Sequence, residues 1–267
     1  MFKIFRNIGF ITLVLVSFIY TDKLVSVVKE SDNLMIEIKG KSKNYEIKAK
    51  DAIIEKDTII PGVKGTSIDL EETYKKMKQY GKYDERLIVY KSVNPKNNLA
   101  SNKDKYIIKG NRKNKVSLIV LISDISTLKR IDDKTNIFID SNIFLKNSKE
   151  ITKIKNNIIG ISGNNYDDYK EIDNVIKHIL KNKNGYCYTK EKNEKILDLC
   201  YKLDNYTIMS NIEIKNKSLI NLKNELNDGA IIVINEDSID YLKIVENYVE
   251  SKGYEIVNLD ELLYETN

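Results

Sequence analysis

Continuous apolar runs alternate with helical periodicity over residues 115–267, and this alternation limits the folds that the chain can adopt. The predicted strands are residues 116–122, 136–139, 158–161, 185–188, 206–209, 230–234 and 254–257. Runs that are apolar at consecutive positions are typical of parallel strands covered by helices on both faces. The predicted helices span residues 172–179, 196–203 and 239–249, the third with Ser238 as N-cap and Gly253 just past its end. The repetition predicts a parallel α/β sheet or barrel, with a functional site at the carboxyl ends of the strands.

Residues 32–95 have a different pattern, which predicts a separate small α+β domain. The predicted strands there are residues 34–39, 45–50, 59–60 and 87–90. Asp69 and Glu72 form a capping box for one helix, which we expect to end at Gly81. Residues 96–114 are polar and rich in Asn and Lys, and they predict a linker to the barrel domain at residues 115–267.

Residues 1–22 predict a signal anchor. Lys3 and Arg6 precede an uncharged apolar run at residues 8–20, and no small-x-small cleavage site follows it. The run is short for a spanning helix, which needs about 20 residues, but snorkelling of the two cations makes the segment just long enough. We therefore expect a single-pass protein of the cell membrane with its C-terminal bulk outside the cytoplasm. A buried N-terminal helix or strand is the alternative.

The net charge of +5 comes from 44 Lys and Arg residues interleaved with 39 Asp and Glu residues. No basic and aromatic patch concentrates this charge, so we expect no nucleic-acid partner. The two cysteines, Cys187 and Cys200, could pair in an extracytoplasmic chain, but sequence does not fix the geometry of a pair. Two buried thiols are the prediction, and the lack of a C-x-x-C pair excludes a redox motif of that type.

The chain has a single histidine, His178, which falls within a predicted helix. Histidine is the usual general base near neutral pH and the commonest zinc ligand. One histidine cannot form a two-histidine metal site, and its helical position predicts an ordinary helix-face residue. The composition therefore argues against most hydrolytic and zinc chemistry.

Several segments of residues 115–263 occur in the order found in the polysaccharide deacetylase (NodB homology) family, and the chain resembles that family. The most specific is G-Y-E-I-V-N-L-D-E-L at residues 253–262, similar to the family ending G-Y-x-x-V-x-L-x-E-L. N-I-F-I-D at residues 136–140 resembles its second strand, and G-A-I-I-V-I at residues 229–234 its penultimate strand. N-N-I-I-G-I-S-G at residues 156–163 stands where the family has G-H-E-I-G-N-H. The resemblance implies a distorted (β/α) barrel.

The family removes acetyl groups from cell-surface glycans with a metal held by one Asp and two His, a second Asp as base and a late His as acid. The corresponding positions here carry other residues. Leu121 and Ile122 replace the paired carboxylates, Ser162 and Tyr166 take the His-x3-His spacing, and Asn235 takes the late His. The complete set of degenerate site positions is Leu121, Ile122, Asp124, Ser162, Tyr166, Tyr186, Tyr188, Asn235 and Glu236.

These replacements predict a pseudoenzyme with no catalytic residue, no metal and no cofactor. We expect its barrel to bind a cell-wall glycan or an envelope protein, with tyrosines at the strand ends stacking on sugar rings or filling the emptied cleft. An active deacetylase with a metal site rearranged around Asp124 and Glu236 is the main alternative. A Ca²⁺ site at Asp124, Asp140 and Glu236 is another, as is a purely structural role carried by residues 32–95.

Overall fold

The computed structural model describes residues 17, 29–131, 134–154, 157–182, 185–210 and 212–265. Apart from Ser17, the predicted anchor at residues 1–22 lies outside these residues. Among the residues described, no helix is long and apolar enough to cross a membrane.

Thirteen strands and nine α-helices form in the described part of the chain. The strands are β1 (Ile53–Glu55), β2 (Thr58–Ile60), β3 (Gly65–Ile68), β4 (Tyr90–Val93), β5 (Tyr106–Ile107), β6 (Lys115–Ile122), β7 (Asn136–Asp140), β8 (Ile159–Ser162), β9 (Tyr186–Tyr188), β10 (Tyr206–Ile208), β11 (Ile212–Ile214), β12 (Ile231–Ile234) and β13 (Glu255–Ile256). The helices are α1 (Asn33–Ser42), α2 (Leu70–Lys78), α3 (Ser141–Phe144), α4 (Ser148–Ile151), α5 (Tyr169–Asn174), α6 (Glu194–Lys202), α7 (Ile220–Glu225), α8 (Leu242–Ser251) and α9 (Leu259–Leu262).

The chain forms two compact units whose boundaries differ from the predicted domains. One comprises Met1–Ala49 and Gly65–Val93, and the other Lys50–Lys64 and Asn94–Asn267. Residues 50–64, which we expected in the small domain, carry β1 and β2 of the large sheet. The predicted linker at residues 96–114 carries β5 of the same sheet, because Tyr106 and Ile107 are buried apolar residues that pair with β2 and β10.

In the smaller unit, α1 and α2 accompany the antiparallel pair of β3 and β4. The predicted strand at residues 34–39 is wrong, since α1 occupies it. The Asp32 carboxylate accepts from the Leu34 backbone N–H, and Leu34 and Ile38 are buried one turn apart while Ile36 is exposed.

The other predictions for this unit have mixed outcomes. Asp69 caps α2 as predicted, and Gly81 adopts a left-handed φ of 70° after its end. The predicted strand at residues 45–50 is reduced to isolated bridges at Ile47 and Lys50. The strand predicted at residues 87–90 begins later than expected. A 3-10 turn spans Glu85–Leu87, and β4 begins only at Tyr90.

The larger unit is an α/β fold built on a curled sheet, which confirms the predicted fold class. The strand path is β1-β2-β5-β10-β9-β8-β7-β6-β12-β11, and β13 pairs with β6 beside that path. The β1–β2 pair is antiparallel, and the pairs that follow along the path are parallel. The carboxyl ends of the central strands therefore meet at one edge, where the site was expected.

Both faces of this sheet are buried, as the continuous apolar runs predict. Along β6, Val116, Leu118, Val120 and Ile122 belong to the core between sheet and helices. Ile119 belongs to a second core on the opposite face, which α9 covers with Leu259 and Leu262. We call this second core the inner core and the first the outer core. Each fully buried aliphatic side chain of this kind contributes about 1.5–3 kcal/mol.

Cys187 and Cys200 form a disulfide that joins β9 to α6, so the prediction of two buried thiols is wrong. Their Cα atoms lie 6.4 Å apart, because α6 packs on the face of β9 opposite to Tyr186 and Tyr188. Tertiary packing decides this pairing, and a spacing of 13 residues gives no local signal for it.

Two further predictions concern the helices of this unit. Ser238 does not cap α8, because it lies buried inside a 3-10 turn, Glu236–Tyr241, where its hydroxyl accepts from the Lys217 backbone N–H. His178 lies in a π-helical turn, Val175–Ile179, and its side chain is exposed.

Candidate functional site: a cleft at the strand ends

A cleft of about 520 Å³ opens at the carboxyl ends of β6, β7, β8, β9 and β12. The cleft is lined by Leu121, Ile122, Ser123, Asp140, Ser162, Gly163, Asn164, Tyr188, Thr189, Lys190, Glu191, Lys192, Asn193, Ile196, Asn235 and Glu236. Six of the nine predicted site positions line it, namely Leu121, Ile122, Ser162, Tyr188, Asn235 and Glu236. The other three, Asp124, Tyr166 and Tyr186, do not.

Aliphatic side chains occupy the end of β6, where the family pattern has its two carboxylates. Leu121 is half-buried and packs against the inner core, and Ile122 is buried in the outer core. Neither has an atom that can bind a metal. The Ser162 hydroxyl is a poor zinc ligand, and Tyr166 lies outside the cleft.

The residues present therefore do not fit the metal that the family uses. In the described part of the chain, no cluster of three or more His, Cys, Asp or Glu side chains could hold a metal ion. Asp124, Asp140 and Glu236, which we considered as a Ca²⁺ site, therefore do not form such a cluster.

The Glu236 carboxylate caps the turn after β6. It accepts from the backbone N–H of Asp124 at 2.7 Å and of Ser123 at 3.3 Å, and from the Ser123 hydroxyl. The Asp124 carboxylate in turn accepts from the Ser126 hydroxyl at 2.6 Å and the Ser126 backbone N–H at 3.0 Å. These two bonds lower the pKa of Asp124, the hydroxyl having the larger effect. Both carboxylates are thus engaged in local structure.

Asp140 ends β7, and its side chain caps the next helix, α3. Its Oδ1 atom accepts from the Asn142 backbone N–H at 2.8 Å and from the Asn142 side chain at 2.7 Å. A Cβ atom on Gly163, whose φ is +90°, would lie 2.5 Å from Asp140 Oδ2. Glycine at position 163 therefore lets the chain after β8 pass close to this carboxylate.

The three tyrosines predicted at the strand ends do not form one stacking surface. Tyr186 is 1% exposed in the inner core and donates to Asp260 at 2.7 Å. Tyr166 does not line the cleft, and its hydroxyl accepts from the Asn193 amide at 3.1 Å. Tyr188 lines the cleft but is 5% exposed, with its ring edge-on to Phe138.

Tyr188 and Asn235 each hold a shielded polar atom without a partner among the described residues, Tyr188 Oη and Asn235 Oδ1. The Asn235 amide donates to Glu213 at 2.8 Å, and Glu213 also pairs with Lys190 at 3.2 Å. Burial raises the pKa of Tyr188 well above the usual tyrosine range, and the Glu213 charge adds to this effect.

One wall of the cleft was missed from the sequence. Residues 189–193, which we call the 189–193 wall, connect β9 to α6, and all five line the cleft. Thr189 and Asn193 contribute hydroxyl and amide groups, and Lys190, Glu191 and Lys192 are exposed. The wall is a polar loop without periodicity, so its only signal is its position directly after a predicted strand.

Comparisons with known proteins support the fold. No family model matches the chain. The uncharacterized protein YlxY of Bacillus subtilis (strain 168) is 41% identical over 88 residues, which span 33% of this chain and 28% of that protein.

Solved structures cover far more of the chain. Wild-type BA3943, a CE4 family pseudoenzyme from Bacillus anthracis, has a TM-score of 0.59 and 21% identity, covering 89% of this chain and 97% of its own. A BA3943 mutant with restored enzymatic activity has the same TM-score and identity, covering 88% and 100%. At 21% identity these structures confirm the resemblance to the polysaccharide deacetylases at the level of the fold alone: the chain has the fold of a CE4 family pseudoenzyme.

Proposed function

We propose that the chain is a catalytically inactive deacetylase-like protein whose cleft binds a neutral glycan of the cell envelope. The observation that carries this proposal is the aliphatic end of β6, Leu121 and Ile122, at the open cleft of a deacetylase-type fold. A deacetylase of this kind needs an activated water, and these side chains can neither bind a metal nor accept a proton. BA3943 shows that a pseudoenzyme exists on this fold.

The chemistry of the cleft supports a neutral ligand with many hydroxyl groups. Ser162 and Asn164 supply a hydroxyl and an amide group to it. Thr189, Asn193 and Asn235 add further groups of these kinds, although each of the three also donates a hydrogen bond within the chain. The acidic groups Asp140 and Glu236 already accept hydrogen bonds from their own chain. Sugar hydroxyl groups both donate and accept hydrogen bonds, and neutral side chains of this kind pair with them without burying charge.

Asn164 is the side chain with which we test binding, because it lines the cleft and is exposed. We expect the purified full chain to be retained on immobilised oligomers of N-acetylglucosamine. Asn164→Ala should weaken retention about two- to tenfold, the range that one lost hydrogen bond gives. Asn224→Ala, an exposed change on α7 outside the cleft, should leave retention unchanged. No retention of the unaltered chain would remove the binding proposal, and metal-dependent acetate release from the oligomers would remove the inactivity proposal.

The same proposal places the chain at the membrane through residues 1–22, with its bulk outside the cytoplasm. The apolar run at residues 8–20 supports the anchor, and the Cys187–Cys200 disulfide supports an oxidising compartment. Digestion of intact cells with an added protease tests the placement. We expect loss of the C-terminal part, and complete protection would contradict it.

A further inference from the structure

The disulfide encloses one side of the cleft. Cys187 and Cys200 are 13 residues apart, and seven of the sixteen cleft residues lie between them: Tyr188, the 189–193 wall and Ile196. Tyr188 follows the first cysteine directly on β9, and Ile196 lies on the first turn of α6. The cross-link therefore joins β9 and α6, the two elements that flank the 189–193 wall.

Between β9 and α6 the 189–193 wall is attached by individual polar contacts, and the Asn193 side chain also caps α6 and donates to Tyr166. The Thr189 backbone N–H donates to the Ile208 carbonyl at 3.0 Å, and the Asn193 backbone N–H donates to the Tyr106 hydroxyl at 2.8 Å. Lys190 pairs with Glu213, and Lys192 pairs with Asp57 at 2.8 Å. The Lys192–Asp57 pair is exposed and contributes little, whereas the Lys190–Glu213 pair joins an exposed lysine to a largely buried carboxylate. Without the cross-link, a polar segment held in this way is expected to open locally.

We propose that the Cys187–Cys200 disulfide positions the 189–193 wall, so that the affinity of the cleft for its ligand depends on the oxidation state of this pair. The proposal rests on the proposed glycan binding for its ligand. Both cysteines are fully buried, so a reductant reaches the bond only when the wall opens. Ligand binding to the closed wall and reduction of the bond therefore oppose each other, and each changes the other by the same factor.

Reduction with a dithiol reagent breaks the Sγ–Sγ bond and adds two electrons and two protons to give two thiols, while the reagent becomes its own disulfide. The test compares the oxidised full chain, the reduced chain and the Cys187→Ala/Cys200→Ala double variant. The reduced chain carries no substitution, so it remains informative if the double variant fails to fold.

Two readouts separate this proposal from the glycan proposal. The first is trypsin cleavage after Lys190 and Lys192, followed by mass spectrometry, which needs no ligand. We expect cleavage at these two bonds to accelerate about tenfold in the reduced chain, since local opening limits proteolysis. Cleavage after Lys252, outside the cross-linked segment, should be unchanged. Equal cleavage of the wall in oxidised and reduced chains would overturn the proposal.

The second readout is retention on N-acetylglucosamine oligomers. We expect retention to weaken about tenfold on reduction, and excess oligomer to shift the equilibrium of the bond with the dithiol reagent toward the disulfide by a similar factor. Equal retention of both forms would overturn the link between the disulfide and binding. If the oxidised chain is not retained, the glycan proposal fails, while the cleavage comparison still decides whether the disulfide holds the wall.

Discussion

Tyr188 and Asn235 line the cleft, and each has one buried polar atom that makes no hydrogen bond to a described residue. An unpaired buried polar group lowers stability by about 1–3 kcal/mol. Such groups are maintained by the packing around them, here the edge-on contact of Tyr188 with Phe138 and the bond from Asn235 to Glu213. The cleft is thus a place where the chain has given up some stability.

Replacing Tyr188 by phenylalanine removes the unpaired hydroxyl and keeps the ring. We expect Tyr188→Phe to raise the free energy of unfolding by about 1 kcal/mol, measured by urea denaturation at neutral pH. Tyr201→Phe, an exposed change on α6, is the matched control and should have no effect. A loss of stability in Tyr188→Phe would show that the hydroxyl has a partner.

The sequence predicts the inner part of the cleft better than its rim. Leu121, Ile122, Ser162 and Asn235 were found because strand ends can be located from apolar runs and compared with a family pattern. Tyr186 and Tyr188 point to the same face of β9, but Tyr186 lies two residues further from the carboxyl end of the strand and is enclosed in the inner core. The 189–193 wall was missed because the path of a loop depends on contacts with distant segments.

At the scale of elements, most strands of residues 115–267 were predictable, including the short β9, β10 and β13, whereas β5 and β11 were not. The eight residues of β6 carry their own apolar signal, whereas β5 has two residues and β11 has three. Strands β5 and β11 are defined by the neighbours with which they pair, and this information is not local. The same ambiguity affected α1, where Leu34 and Ile38 suit either a strand or a helix until packing selects one face.

The close approach of β7 and β8 depends on Gly160. A Cβ atom there would lie 2.4 Å from Phe138 Cε1, and Phe138 is fully buried. We therefore expect Gly160→Ala to lower the free energy of unfolding by about 1–3 kcal/mol, as overpacked core substitutions do.

Gly40 supplies the contrasting control for this change. It lies inside α1, where a Cβ atom would meet nothing within 4 Å. Gly40→Ala should therefore raise stability by about 0.5–1 kcal/mol through helix propensity. Urea denaturation monitored by circular dichroism measures both variants. A Gly160→Ala protein as stable as the parent would mean that β7 and β8 can separate freely.

At the scale of the whole molecule, the chain enters the larger unit, leaves it and returns. Residues 50–64 provide β1 and β2 before the chain goes on to Gly65–Val93 of the smaller unit. A deletion of residues 32–95, designed on the predicted boundaries, would therefore remove two strands from the large sheet. A test of the smaller unit's role must keep residues 50–64. Sequence composition gave no sign that residues 50–64 belong to the larger unit, because they are as polar as the residues around them.

Buried tyrosines should make the larger unit sensitive to alkaline pH. Burial is the main cause that raises the pKa of Tyr106, Tyr169 and Tyr188, and it raises the pKa of Tyr206 to about 12, with Glu265 adding to the effect. In the unfolded chain a tyrosine ionises near pH 10. The stability that these groups contribute is therefore complete below about pH 10 and is lost as the pH rises toward their folded-state pKa values.

We accordingly expect the urea midpoint to be level up to about pH 9 and to fall steadily above about pH 10. Tyr206→Phe should make this fall shallower, because phenylalanine has no proton to lose in either state. Comparing the slopes of the two proteins above about pH 10 cancels any stability difference at neutral pH, so the packing change does not affect the result. Identical slopes would mean that Tyr206 ionises in the folded chain as readily as in the unfolded one. The conclusion that burial raises the pKa of Tyr206 would then be wrong.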